Sequence, residues 1–185
     1  MITKEDAIAL LSQYVKNDRM LYHCYATEAV MRALARRLGK DEEKWGIAGL
    51  LHDLDLELID SNLTVHTHET AKILDRIGVD PEIIDAIKMH NEDAWGMKRS
   101  TVFHHALAAG ETITGMIAAT ALVYPDKKLA SVKAKSVTKR MKEKAFAASV
   151  SSDTIMECEK LAIPLDEFAE ICLKAMKEIS NQLGL

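Results

Sequence analysis

A chain of 185 residues, 48% hydrophobic and 28% charged, has the size and composition of one soluble globular domain with a core of its own. Its net charge of -4 offers no overall basic field, so neither nucleic acid nor an anionic membrane is an expected partner. Three scattered cysteines, Cys24, Cys158 and Cys172, support neither a disulfide framework nor a Cys-rich zinc site. The longest small-apolar stretch, Gly115 to Tyr124, is shorter than the roughly 20 residues a bilayer needs, and the polar N-terminus reads as a helix start. A cytoplasmic protein is expected.

Helical periodicity runs through the whole chain, and no segment alternates with period two for long enough to make a strand. Thr3 with Asp6 forms a capping-box pattern ahead of Ala7, Leu10, Leu11 and Val15. Val30, Leu34 and Leu38 mark a second helix, which Gly39 can close. Asp41 can cap a third, through Trp45, Ala48, Leu51 and His52. Thr67 is the candidate cap of a fourth, carrying His68, Ala71, Ile73 and Leu74 up to Gly78, and Asp80-Pro81 opens a fifth. A long apolar helix is predicted over roughly Val102 to Tyr124, stopped by Pro125, and a basic one near Ser136 to Ala148. Ser152 or Asp153 can cap a short helix before Pro164, and Leu165 to Leu183 reads as one amphipathic helix. The expectation is all-α: a single compact helical domain over residues 1-185.

The seven histidines carry the chemical information. His52 and Asp53 emerge together from the apolar run Ala48-Gly49-Leu50-Leu51, where they either face solvent or serve a site. Imidazole and carboxylate together suit divalent metals such as Zn, Fe and Mn, and a metal would offset the cost of burying Asp53. His23 lies one helix earlier, His68 starts the next helix, and His90 ends the one after. Glu111 interrupts the long apolar helix and needs a partner there.

These residues resemble the HD superfamily of metal-dependent phosphohydrolases, whose pattern is His, then His-Asp, then Asp on successive helices. Gly49-Leu50-Leu51-His52-Asp53-Leu54-Asp55 is similar to the family's L-L-H-D-I helix end. His68-Glu69-Thr70-Ala71-Lys72-Ile73-Leu74 matches the H-x-x-x-A-x-x-L segment of a two-metal subset, and Ile87-Lys88-Met89-His90-Asn91-Glu92 matches its I-x-x-H-H/N-E helix end. Thr114-Gly115-Met116-Ile117 sets the register that puts Glu111 where the family usually has Asp. These motifs lie in about residues 20-120, with C-terminal helices from about 127 to 185 expected to pack on that core, a tail similar to that of a small HD subfamily.

The resemblance implies an HD-domain helical bundle holding one or two divalent ions (Fe, Mn, Zn, Mg or similar). In its two-metal form Asp53 bridges both ions, His23, His52 and Glu111 complete one position, and His68 and His90 serve the other. It implies hydrolysis of a phosphoester of a nucleotide or another small phosphorylated metabolite. Di-iron oxygenase chemistry on the same ligands, or a non-catalytic metal- or nucleotide-binding regulatory domain, are the alternatives. A homo-oligomer is compatible with all three.

His66 competes with His68 but lacks the following helix match, so His68 is preferred. Besides Asp53, the nearby Asp55 and Glu57 are candidates to orient ligands or move protons, as is Glu28 for the first task; the alternative is a solvated helix end. His104, two helical turns before Glu111, either lines the pocket or is a polar helix start. The stretch Lys127 to Lys144, with eight basic residues and one acid, reads first as a solvated helix face and second as a phosphate-attracting rim. The loop after His90 lacks the Gly-Tyr-Pro signature of the branch that cuts cyclic di-GMP, so that substrate is not expected.

Overall fold

The structure is a computed structural model that describes residues 2-143 and 145-185. Lys144, the last residue of the basic stretch, lies outside it. The described residues form helices and turns without strands.

α1 (Lys4–Tyr14) begins at the Thr3/Asp6 capping box, with both reciprocal bonds made. α2 (Asp18–Leu38) ends at Gly39, whose φ of +63° is the left-handed conformation that glycine adopts without strain. α3 (Glu42–Leu51) follows at once, capped by Asp41. α2 and α3 pair closely, and Gly49 makes this possible. A Cβ there would meet the Thr27 carbonyl oxygen at 2.7 Å, so the α3 backbone rests directly on the α2 backbone.

Residues 52-67 form successive turns, and then come α4 (His68–Arg76) and α5 (Pro81–His90), the latter opened by Asp80-Pro81 as expected. α6 (Val102–Leu122) is apolar nearly all round because it is the centre of the bundle, contacted by α2, α5 and the C-terminal helices. Beyond it lie α7 (Ala134–Arg140), α8 (Ser152–Ile155), α9 (Leu165–Glu178) and α10 (Ser180–Leu183). Phe168, Leu34, Leu50, Ile87 and Ile117 are fully buried in one continuous core, each contributing about 1.5–3 kcal/mol.

Four local expectations differ. The basic helix is shorter than Ser136–Ala148 and starts earlier, at Ala134; Ser151 caps α8; and the C-terminal helix breaks at Ile179. Thr67 precedes α4, yet its side chain caps nothing. Its φ is +78°, and its hydroxyl instead accepts a 2.8 Å bond from Trp95 Nε1. The capping is done from a distance, by Asp55, whose Oδ2 accepts from the backbone N–H of Glu69 and of Thr70 at 3.1 Å each.

Candidate metal centre

Three helices and one turn aim ring nitrogens at one carboxylate. α2 supplies His23, the end of α3 supplies His52 and Asp53, the turn before α4 supplies His66, and the last residue of α5 is His90. On one side of Asp53, His23 Nε2 and His52 Nε2 are 3.1 Å apart and lie 3.4 and 3.3 Å from Oδ2. On the other side, His66 Nε2 and His90 Nε2 are 3.0 Å apart and lie 3.1 and 3.4 Å from Oδ1. These are two triangles of donor atoms sharing Asp53. Donors about 2.1 Å from one ion and roughly 90–109° apart are separated by about 3.0–3.4 Å, so both triangles have the edge lengths of a divalent-ion site.

The far nitrogens of the four rings decide what the near ones can do. His52 Nδ1 faces the Gly49 carbonyl at 2.8 Å, and His90 Nδ1 faces the Ile87 carbonyl at 2.6 Å. Both are end-of-helix carbonyls three residues back, which otherwise lack a donor. His66 Nδ1 faces Asp55 Oδ1 at 2.7 Å. His23 Nδ1 faces the Thr114 hydroxyl at 3.0 Å, and that hydroxyl donates onward to the Glu111 carbonyl, so it accepts from the ring. Assigned from these partners, every Nδ1 carries a proton. In the neutral rings all four Nε2 lone pairs then point into the same small space. Facing lone pairs 3 Å apart repel unless a cation or a proton lies between them, and the donor set therefore fits divalent metal.

The electrostatics agree. Burial works against the Asp53 carboxylate, but His52 beside it and the bonds from His52, His66 and His90 hold its pKa well below the ordinary range. Burial opposes charge on His66 too, yet its bonds to Asp53 and Asp55 raise it to about 9. Burial and neighbouring imidazolium charge lower His23 and His90 to about 4, while Asp53 outweighs burial at His52 and raises it. Without metal, the second triangle thus holds a proton on His66 at neutral pH, and in the first the proton is favoured on His52 over His23.

Glu111 stands at the open side. Its Oε2 is 3.8 Å from His23 Nε2, and its other oxygen meets the Thr112 hydroxyl. Loss of water raises its pKa to about 7, against the pull of His52 and Thr112. The His23 and Glu111 side chains keep 24% and 21% of their surface exposed, whereas His52 has none, so the mouth lies on that side.

The structure brings together His23, His52, Asp53 and His90, with Glu111 at the edge, as the sequence suggested. His68 does not join them. Its Nε2 bonds the Ala94 carbonyl at 3.0 Å, and its ring rests on Trp95, whose other contacts include the Lys88 ammonium 4.1 Å from the ring centre. His66 takes the position next to His90 because Asp55 orients its ring. The signal available in the sequence was the eleven-residue pairing of Asp55 with His66, which no helical pattern reveals.

Asp55 is fully buried and spends both oxygens on His66 and the α4 N-terminus, so it orients a ring and has no access to a reacting atom. Glu57 turns away altogether: it accepts from the backbone N–H of Lys16 and Asn17 and ties down the link between α1 and α2. Glu28 pairs with Lys4 and Arg32. His104 bonds Asp85 at 2.7 Å and lines a separate cavity of about 320 Å³ with Trp45 and Phe103. Missing from the sequence reading were His66 as first choice and Thr114, which orients His23.

No helix among the described residues is long and apolar enough to cross a membrane. Neither the curated proteins nor the solved structures returned a match to this chain. The HD domain family matches residues 20–145, a span that holds both triangles and every residue at the mouth. With His-Asp at its centre and helices on all sides, this chain belongs to the HD domain family.

Proposed function

We propose that the protein is a metal-dependent phosphohydrolase that cleaves a phosphoester of a nucleotide or another small phosphorylated metabolite. The observation that carries this reading is the convergence of four ring nitrogens on both oxygens of Asp53, which asks for positive charge in two adjacent places. His23, His52 and Asp53 would hold one ion, and Asp53, His66 and His90 the other, with Glu111 within reach of the first. Metal ions bound there would polarise a phosphoryl oxygen and acidify a water for attack.

The chain's own residues prepare that chemistry. Asp55 keeps the His66 ring turned inward, and the Gly49 and Ile87 carbonyls do the same for His52 and His90. Burial of His52 and Asp53 excludes bulk water from the floor, so charge placed there acts at low screening. The open side between His23 and Glu111 is where a substrate's phosphoryl group enters.

The test is elemental analysis of protein kept from chelators, with turnover on a panel of phosphomonoesters, phosphodiesters and nucleotides. The reading expects about two ions per chain, and turnover that falls by at least about a thousandfold in Asp53→Asn. A fully loaded protein that turns over nothing on the panel, just as Asp53→Asn does, refutes it.

A further inference from the structure

The loop between α5 and α6 carries a buried charge that the metal centre does not use. Arg99 keeps only 11% of its side-chain surface exposed. Its guanidinium has five donors, yet one of them makes a hydrogen bond: Nη2 to the carbonyl of His90, at 3.2 Å. Nε is buried without a partner among the described residues. Two carboxylates stand near, but each is engaged more closely elsewhere. Glu92 accepts from the Arg99 backbone N–H at 2.6 Å and from Lys98 at 3.0 Å, and Glu157 accepts from His105 at 2.7 Å. Both reach Arg99 Nη1 only at 3.4 Å, well beyond the 2.7–2.9 Å of a charge-assisted bond.

A guanidinium taken out of water costs free energy, and two carboxylates at 3.4 Å offset its charge without filling its donors. Its place explains the arrangement. It bonds the carbonyl of His90, whose ring closes the second triangle, and it sits in the loop that leads into the helix of Glu111. The backbone bond to Glu92 and the flanking carboxylates hold it there without saturating it.

We propose that Arg99 is the substrate-binding residue that grips the phosphoryl group entering the mouth of the metal centre. The ligand class is a terminal phosphoryl dianion, whose oxygens match the planar fork of a guanidinium as a lysine ammonium would not. This rests on the phosphohydrolase reading and adds to it a specific anchor. It also favours phosphomonoesters over internal diesters, because only a terminal group presents two free oxygens to the fork while a third faces the floor.

The experiment is calorimetric titration of inorganic phosphate into Mn2+-loaded protein, with metal content measured on the same samples. Arg99→Gln and Arg99→Lys should keep the wild-type metal content. The phosphate Kd should rise about 10–100-fold in Arg99→Gln, the worth of a hydrogen bond to a charged group, and less in Arg99→Lys. Millimolar guanidinium chloride should restore part of the affinity to Arg99→Ala and none to wild type. A phosphate Kd unchanged in Arg99→Gln overturns the proposal and leaves the phosphohydrolase reading standing. Parallel loss of metal and of phosphate binding in both variants also overturns it, since Arg99 would then merely brace His90. Loaded wild type that binds no phosphate overturns the phosphohydrolase reading together with the anchor.

Discussion

Replacing Asp55 with Asn should weaken the metal centre without touching a ligand. In the wild type the buried carboxylate accepts from His66 Nδ1 at 2.7 Å and from the N–H groups of Glu69 and Thr70 at 3.1 Å. Its pKa is lowered despite burial, chiefly by the His66 bond, so it is ionised at neutral pH. An Asn side chain can keep its oxygen on the α4 N-terminus only by turning its amide toward His66. The ring must then accept at Nδ1 and carry its proton on Nε2, the atom 3.0 Å from His90 Nε2. Loss of such an orienting partner costs about 10–100-fold in metal affinity, or about 1.4–2.7 kcal/mol. The fold suffers as well. Two charge-assisted helix bonds become neutral ones, at about 1 kcal/mol each, and the α4 dipole loses its anion, at about 0.5 kcal/mol. A Tm fall of about 5–10 °C is expected for the metal-free protein, at roughly 2–4 °C per kcal/mol. Competitive metal titration and thermal melts with chelator measure both effects. An Asn variant with wild-type metal affinity would show that Asp55 does not set the His66 proton, and the argument for two metal-ready triangles would lose its second half.

Three further outcomes follow from the same geometry. His66→Ala should empty one ion position, whereas His68→Ala should leave metal content unchanged and cost about 1–2 kcal/mol through the lost Trp95 contact and Ala94 bond; elemental analysis of the pair would refute the assignment if the two results were exchanged. Metal binding at pH 7 should release at least about one proton, since His66, raised to about 9, is charged there. Affinity should climb with pH and flatten above about 9, and calorimetry in two buffers of different ionisation enthalpy would reject this by finding no release. In the metal-free fold the His66 contribution is complete below its unfolded value near 6.5 and is lost as pH rises through about 9. His23 and His90, lowered to about 4, act oppositely: what they contribute is present above about 6.5 and is lost as pH falls to 4. The Tm measured with chelator should therefore peak near pH 6.5.

Much of this fold can be read along the chain because its signals are local. The Thr3/Asp6 box, the Gly39 stop, the Asp80-Pro81 start and the apolar α6 all depend on residues within a few positions of one another. His52 and His90 were legible for a related reason: each ends a helix and bonds a carbonyl three residues back. Thr67 shows where such reasoning fails. A Thr ahead of an apolar run looks like a cap, but Asp55 from an earlier turn took that role and left Thr67 to Trp95. Glu57 fails likewise, because its partners are the backbone of Lys16 and Asn17, some forty residues away.

The sequence by itself determined that the chain is helical, that His52-Asp53 ends an apolar helix, and that several further histidines stand at helix ends where a metal could gather them. Only the tertiary structure decided that His66 rather than His68 faces Asp53, that Asp55 orients a ring, and that Arg99 lies buried against the His90 carbonyl. The physical reason is common to all three. Where an imidazole, carboxylate or guanidinium points is settled by hydrogen-bond partners, and here those partners come from other turns and helices, at separations that carry no periodic signal.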